Sequence, residues 1–298
     1  MRIFVTGATG FIGSRVVKEL LEHGHAVLGL ARSEASARAL AAAGAEVQRG
    51  GLQDLASLRR GASQAEGVIH LGFIHDFSKF QENCEIDGRA IEAMGSVLAG
   101  TNRPLIVTSG TGMGNAVPGE PAREDNPVTI TSAMFPRAIS EEAAAAVAAR
   151  GVNVSVMRLP QVHDPVKQGL ITMAIQLARE KKVSAYIGDG RNRWPAAHVL
   201  DVARLYRLAV EKAAPGAKYH AVAEEGVSNR EISEVIGRGL KVPVVSLSPE
   251  ESAAHFGWLA MFAGRDMPAS SALTRQWLGW QPTGPGLIED LERMNYSV

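Results

Sequence analysis

The sequence has a single cysteine, Cys84, among its 298 residues. One cysteine excludes an internal disulfide framework and a cysteine-rich zinc site, and it is typical of a reducing compartment. Lysine plus arginine number 31, as do aspartate plus glutamate, so no net charge attracts nucleic acid or an anionic membrane. No uncharged apolar run is long enough to cross a bilayer. We therefore expect a soluble, cytoplasmic protein with no nucleic-acid or membrane partner.

Apolar segments of strand length alternate with helical patterns through the first 160 residues. Strands are predicted at residues 2–6, 25–30, 45–48, 67–71, 104–109 and 153–158. The intervening helices include 35–43, 54–60, 86–98 and 136–150. This alternation is typical of an α/β protein whose parallel sheet is covered by helices on both faces. After residue 160 it ends, and helices are predicted at 169–180, 199–212, 229–240, 250–262 and 271–278.

The first predicted strand runs into the glycine-rich segment TGATGFIG, residues 6–13. Gly7 permits a tight turn, Gly10 lets the backbone approach a pyrophosphate, and Gly13 lets the following helix pack closely on the strand. The first N–H groups of that helix then face the phosphates. The spacing, the strand and the helix together predict a dinucleotide-binding turn. Its cofactor-binding residues also include Thr9, Phe11 and Ile12.

The end of the second predicted strand indicates which dinucleotide binds. An NAD site places an acidic side chain there, which accepts hydrogen bonds from the ribose 2′-hydroxyl. This chain has Arg32 and Ser33 instead, and Glu34 follows two positions too late. A guanidinium and a hydroxyl suit a 2′-phosphate. The sequence therefore favours NADP.

Six ordered motifs resemble the extended short-chain dehydrogenase/reductases, including the NAD-dependent epimerase/dehydratase group. They are TGATGFIG, Asp54-Leu55, VIHLGF at 68–73, IVTSGTGMG at 106–114, MRLPQVH at 157–163 and GDGRNRWPAAHVLDVARLY at 188–206. The resemblance covers nearly the whole chain. It implies a Rossmann-type doubly wound parallel sheet with a smaller, interleaved C-terminal substrate lobe.

The resemblance also implies domain limits and cofactor contacts. Residues 1–165 would form the NADP-binding domain, to which 188–212 return, and residues 166–187 and 213–298 would form the substrate lobe. The implied cofactor contacts are Asp54 and Leu55 at the adenine, Leu71, Gly72 and Phe73 along the cofactor, and Pro160 and Val162 at the nicotinamide.

The sequence departs from this family at its usual proton donor. Members with the usual chemistry carry Tyr-x-x-x-Lys on the helix after the fifth strand, with tyrosine as general acid/base. Alignment through Ser140-Glu141 places Ala133 at the tyrosine position and Arg137 at the lysine position, and residues 1–185 contain no tyrosine. The chain therefore resembles an atypical branch of the family.

Two residues near the fifth strand are candidates for catalysis and cofactor binding. Ser109 lies five residues before Gly114, where the family has its catalytic serine or threonine. It would hydrogen-bond a substrate carbonyl, or it would only cap the loop. Arg137 cannot act as a base at neutral pH. It would bind the ribose or a phosphate, stabilise an oxyanion, or lie unengaged on the helix surface.

Histidines are the candidates to replace the missing acid, because they titrate near neutrality. His75 follows the fourth strand beside Asp76, and His163 follows the sixth strand beside the expected nicotinamide. Alternatively, either histidine would only cap or stabilise the loop in which it lies. His70, within an apolar strand, is better interpreted as a hydrogen-bonded core residue. The histidines and acids form no compact ligand motif, so no metal is expected.

The sequence predicts an NADP-dependent oxidoreductase that transfers hydride to or from a small carbonyl or alcohol. A non-catalytic dinucleotide-binding sensor is one alternative, and an epimerase, dehydratase or lyase on the same scaffold is another. The apolar segment 255–264 is interpreted as a core or lid helix that suits a bulky apolar substrate. Both a monomer and a homodimer stay open.

Overall fold

The structure is a computed structural model that describes residues 1–114, 117 and 119–297. Its strands are β1 (Arg2–Thr6), β2 (Ala26–Ala31), β3 (Glu46–Arg49), β4 (Gly67–His70), β5 (Pro104–Gly110), β6 (Asn153–Leu159), β7 (Gln161–His163), β8 (Ser184–Ile187), β9 (Arg193–His198), β10 (Lys218–His220), β11 (Glu224–Ser228) and β12 (Val244–Leu247).

Its helices alternate with these strands and then dominate the last third of the chain. They are α1 (Phe11–Glu22), α2 (Glu34–Ala42), α3 (Leu55–Ser63), α4 (Phe80–Ser96), α5 (Ile139–Ala148), α6 (Leu170–Lys181), α7 (Val199–Lys212), α8 (Asn229–Leu240), α9 (Pro249–Phe256), α10 (Ala260–Ala263), α11 (Ala272–Leu278) and α12 (Leu287–Arg293). No helix within the described ranges has the length and apolar character that crossing a membrane requires.

Seven parallel strands form the central sheet in the order β10-β6-β5-β4-β1-β2-β3. The chain moves outward from β1 to β3 and then returns to β4 on the other side of β1. This reversal creates a crevice at the carboxyl ends of β1 and β4, where open α/β sheets bind ligands. The predicted Rossmann-type sheet is confirmed. Two smaller sheets, β11-β9-β7 and β12-β8, accompany it.

Both faces of the central sheet are buried, because β1 directs side chains alternately to two cores. Ile3 and Val5 belong to one core, which includes residues of α1 and α7. Phe4 belongs to the other, which includes residues of α3, α4 and α5. A strand buried on both faces appears in the sequence as a continuous apolar run, and IFV is such a run.

Several helix limits differ from the predicted ones for identifiable reasons. The predicted helix 86–98 begins earlier, at Phe80, directly after a 3-10 turn capped by Asp76. The predicted helix 136–150 is α-helical only from Ile139, because Pro136 opens a 3-10 turn. The predicted helix 250–262 breaks at Gly257, whose φ is +54°. Each change occurs at a local cap or a special backbone angle that apolar periodicity does not show.

The chain after residue 160 is more interleaved than the pattern indicated. The short strands β7, β9 and β11 pair into their own sheet, and Lys218–His220 joins the edge of the central sheet beside β6. The central sheet therefore receives a strand from beyond residue 212. The proposed division into 1–165 with 188–212, and 166–187 with 213–298, stays a prediction.

Candidate active site

The carboxyl ends of β1, β4, β5 and β6 open on a cavity of about 980 Å³. Its walls include the turn after β1 and the segments 71–75, 108–113 and 159–162. The cavity therefore lies at the sheet's reversal point, the usual ligand position in such folds. It has room for a dinucleotide together with a small substrate.

The three motif glycines form one wall of this cavity. Gly7 has φ +65°, a conformation that favours glycine. A Cβ on Gly13 would lie 2.0 Å from the Gly7 carbonyl oxygen, so a side chain there would push α1 away from β1. Gly10 precedes α1 without a side-chain cap, which leaves N–H groups of the first turn for a ligand. Thr9, Phe11 and Ile12 also line the wall. These features fit a pyrophosphate.

The side chains after β2 have separate roles. Arg32 is exposed and lines the cavity, and no ion-pair partner is found for it within the described ranges. The Ser33 hydroxyl caps α2 by accepting from Ser36 N at 3.1 Å, and Ser33 does not line the cavity, whereas Ser36 does. Glu34 pairs with Arg49 at 2.5 Å. The Glu34 carboxylate is thus paired with Arg49, while the Arg32 guanidinium faces the cavity.

Of the two predicted adenine contacts, one lines the cavity and the other does not. Asp54 lines the cavity, and its carboxylate caps α3 by accepting from Ser57 N at 3.0 Å. Leu55 does not line the cavity and packs against one core of the sheet. The neighbouring residues Leu52 and Gln53 are in the lining instead. The sequence located this loop to within two residues.

The predicted contacts at the nicotinamide end all lie on the cavity wall. They are Leu71, Gly72, Phe73, Ser109, Arg137, Pro160 and Val162. Ser109 is 4 % exposed, and its Oγ makes no hydrogen bond of normal geometry among the described residues, although it lies close enough to Glu141 to help lower the pKa of that carboxyl. A buried hydroxyl is usually hydrogen-bonded, so an unpartnered one beside a cavity is a candidate contact for a ligand oxygen.

Arg137 is held in place from several sides. Its guanidinium donates to Asp87 Oδ2 at 3.0 Å, to the Thr108 carbonyl oxygen at 2.9 Å and to Ser140 Oγ. It also lies 4.4 Å from the centroid of the Phe73 ring. Burial alone would raise the pKa of Asp87, but the Arg137 cation and hydrogen bonds outweigh it and lower that pKa. Arg137 is therefore a fixed positive charge at the cavity wall.

His70 connects this charge to the glycine turn. Its Nε2 lies 3.0 Å from Asp87 Oδ1, and its Nδ1 lies 2.7 Å from Thr6 Oγ1. Thr6 Oγ1 in turn accepts from Gly72 N at 3.0 Å. With both ring nitrogens engaged and only 1 % of the residue exposed, His70 has the structural role that its apolar strand indicated.

The two candidate histidines lie in different surroundings. His75 lines the cavity beside Phe73, with a ring-centroid distance of 5.2 Å. His75 keeps exposed surface, yet partial desolvation against the cavity wall and then the Arg137 cation lower its pKa. His163 is fully buried, has its Nδ1 2.7 Å from Asp290 Oδ2, and does not line the cavity. The structure thus brings His75, but not His163, to the predicted site.

A buried ion pair lies beside Ser109, beneath the cavity wall. Arg158, next to Ser109 in the register of β5 and β6, donates to both carboxylate oxygens of Glu141 at 2.8 Å. Arg158 is 0 % exposed. On its other side Arg158 Nη1 lies 3.3 Å from His220 Nε2. Burial is the main cause that lowers the pKa of His220 to about 4, and the Arg158 cation adds to it. His220 is therefore neutral at pH 7.

Several lining residues were not identified from the sequence. Asp87 is polar in a helix, which predicts a solvent-facing side chain, and only the fold places it against Arg137. The phenylalanines Phe77, Phe80, Phe135 and Phe262 come from three distant segments. Among the described residues, no tyrosine lines the cavity. Ser36 lies one helical turn after Arg32, and this spacing is the one signal that could have identified it.

The comparisons with known proteins agree with this geometry. The sequence model of the NAD dependent epimerase/dehydratase family matches residues 3–223. An uncharacterized protein of Schizosaccharomyces pombe is 49% identical over 98% of both chains. An uncharacterized protein of Saccharomyces cerevisiae is 42% identical over 100% of both chains.

A solved structure shows the same fold. DesIV, a dTDP-glucose 4,6-dehydratase of Streptomyces venezuelae solved with NAD bound, is 18% identical with a TM-score of 0.78. The alignment covers 99% of this chain and 96% of that chain. The chain belongs to the NAD dependent epimerase/dehydratase family.

Proposed function

We propose that this protein is an NADP-dependent oxidoreductase that acts on a small carbonyl or alcohol. The unpartnered, buried hydroxyl of Ser109 carries the proposal, since it lines the same cavity as the glycine turn. A hydroxyl in that position can donate to a carbonyl oxygen as negative charge develops on it. Arg137 adds a fixed positive charge to the same wall.

The residues present fit a dinucleotide along the cavity. Gly7, Gly10 and Gly13 would hold the pyrophosphate, and Arg32 with Ser36 would hold the adenosine ribose and its phosphate. Pro160 and Val162 would border the nicotinamide. The bound cofactor would supply the hydride donor or acceptor, and the chain's own groups would bind the substrate oxygen and move its proton.

The cofactor preference can be tested at Arg32. We expect NADP(H) to bind more tightly than NAD(H), and Arg32→Ala to reduce the affinity for NADP(H) by about 10- to 100-fold while leaving that for NAD(H) nearly unchanged. Arg38→Ala is the matched control, because Arg38 is an exposed arginine of α2 outside the cavity lining. Calorimetry that gives equal affinities of the unaltered protein for the two cofactors would contradict the assignment to NADP.

The proton-transfer group can be tested through the pH dependence of turnover. If neutral His75 accepts the proton of an alcohol, oxidation rises as the pH increases through the pKa of His75, which lies below the ordinary 6.5. Reduction falls through the same pKa, since the protonated ring must then donate. Arg137→Met should move the inflection upward, because it removes the cation that lowers the pKa and leaves the burial.

Two histidine variants complete this test. His75→Phe should abolish the inflection, whereas His163→Asn, which keeps a donor for Asp290, should retain it. An inflection that persists unchanged in His75→Phe would exclude His75 and favour a water held by Ser109.

A second candidate is a dinucleotide-binding sensor without catalysis. The observation that favours it is the lining itself, which includes no tyrosine within the described part of the chain. Tight NADPH binding without turnover of aldehydes, ketones, imines or activated alkenes would support this second function. Location in the cytoplasm and a homodimeric state stay predictions.

A further inference from the structure

The cavity is unusually rich in phenylalanine for this chain. Aromatic residues make up 5% of the sequence, and only eight are phenylalanine. Six of these eight line the cavity, and Phe11 among them belongs to the glycine turn. The other five, at the far end, are Phe73, Phe77, Phe80, Phe135 and Phe262. Packing of the hydrophobic core does not explain this concentration, because the fully buried phenylalanines are the other two, Phe4 and Phe256.

The five rings form a continuous chain across the cavity. Phe80 contacts Phe73, Phe77 and Phe135 at centroid distances of 6.5, 5.7 and 5.6 Å. Phe135 then meets Phe262 edge to face at 6.2 Å. All five rings are half-buried, although they touch one another, so each keeps exposed surface. Edge-to-face and tilted arrangements are those that a further aromatic ring can join.

Phe77 of this cluster also stacks on an aromatic ring outside the cavity lining. Phe77 stacks on Trp258 with a centroid distance of 4.2 Å and an interplanar angle of 11°. Phe77 lies in the 3-10 turn after β4, and Trp258 lies in the segment between α9 and α10. This stacking holds the Phe77 ring in place against a distant part of the chain.

Few polar groups line the cavity at this end, and among them Ser109 and His75 are available to hold one substrate oxygen. Asp87 is bound by His70, Arg137 and Ser140. Lys167 also lines the cavity, 6.0 Å from the centroid of the Phe11 ring, and its charge helps to lower the pKa of His75. A substrate with many hydroxyls, or with phosphates, needs several free donors and acceptors, because buried polar groups without partners are costly.

We infer that the substrate is an aromatic aldehyde or ketone, or the matching alcohol, whose ring lies among these five phenylalanines. This inference rests on the proposed function and names its substrate class. In the reduction, the hydride of NADPH goes to the carbonyl carbon and a proton goes to the oxygen, so the products are an alcohol and NADP⁺.

Unreactive amides test the binding of this class separately from turnover. Protein with saturating NADPH is titrated in a calorimeter with benzamide, cyclohexanecarboxamide and gluconamide. The aromatic ring should bind about two- to tenfold more tightly than the saturated ring of the same size, since aromatic pairs add attraction beyond apolar contact. Gluconamide should bind most weakly. Equal affinities for the two rings, or a preference for gluconamide or UDP-glucose, would overturn the inference.

Phenylalanine variants assign the preference to this cluster. Phe135→Leu and Phe80→Leu keep an apolar side chain, remain testable if one of them folds poorly, and should reduce the benzamide preference toward one. Phe256→Leu is the control, because Phe256 lies outside the cavity lining. A preference unchanged in both cluster variants would overturn the inference.

Turnover separates this inference from the proposed function. A preference for benzamide without reduction of any carbonyl supports the aromatic site and contradicts the oxidoreductase. Reduction of glyceraldehyde in preference to benzaldehyde supports the oxidoreductase and overturns the aromatic class.

Discussion

Glu141→Gln is expected to lower the free energy of unfolding by about 3–5 kcal/mol. The variant leaves Arg158 charged and 0 % exposed without its counter-charge. An unpaired buried charge is costly, because the interior cannot replace its hydration. Urea denaturation followed by circular dichroism measures the change.

The control for this variant is Glu234→Gln, which removes one partner of an exposed ion pair with Arg230. We expect no measurable change there, since water screens exposed pairs. Equal effects of the two variants would contradict the structural role of the Arg158–Glu141 pair.

The same pair gives a pH dependence of stability. Burial raises the pKa of Glu141, but the hydrogen bonds and charge of Arg158, with a smaller contribution from Ser109, outweigh it, and the pKa lies below the ordinary 4.5. A carboxyl with a lowered pKa in the folded state contributes stability that is present above pH 4.5 and lost as the pH falls through the folded value. Glu141→Gln should remove that part of the acid-induced loss.

Ser109→Ala is expected to lower kcat by about 10²–10³-fold, the cost of removing one donor to a developing oxyanion. The dissociation constant of NADPH should be nearly unchanged. Stability should change little, because the Ser109 hydroxyl makes no hydrogen bond of normal geometry among the described residues.

Ser155→Ala is a closely matched control for this variant. Ser155 lies in β6, is 3 % exposed, and its Oγ also has no partner among the described residues, but it does not line the cavity. Both variants should therefore resemble each other in stability and differ in turnover. A normal kcat for Ser109→Ala would exclude Ser109 from catalysis.

The parts of the fold that the sequence predicted are those with strong local patterns. The run IFV in β1, the glycines after it and the apolar spacing of α1 all act within a few residues. Their meaning does not depend on distant parts of the chain. The strands β7 and β9 were missed, because β7 has three residues and β9 contains Pro195. Both form only because the later chain pairs with them.

The residues of the site were likewise predictable only where a local sequence motif marks them. The glycine spacing indicated Gly7, and the family resemblance indicated Leu71 and Ser109, and all three line the cavity. The contact between Asp87 and Arg137 crosses 50 positions of sequence, so no local pattern indicates it. Ser33 looked like a phosphate contact, but its position before α2 makes it a cap. Helix caps and phosphate contacts use the same residue types, and only the folded structure shows which role a given residue has.

Hydride transfer from NADPH within this cavity, as proposed above, can be tested directly by rapid mixing. Protein saturated with NADPH is mixed rapidly with excess benzaldehyde, and the absorbance of the reduced nicotinamide is followed while benzyl alcohol is quantified. We expect a rapid loss of that absorbance, followed by steady turnover with one alcohol formed for each NADPH consumed. Tight NADPH binding with unchanged absorbance, for benzaldehyde and for a panel of other aldehydes, ketones, imines and activated alkenes, would contradict this expectation.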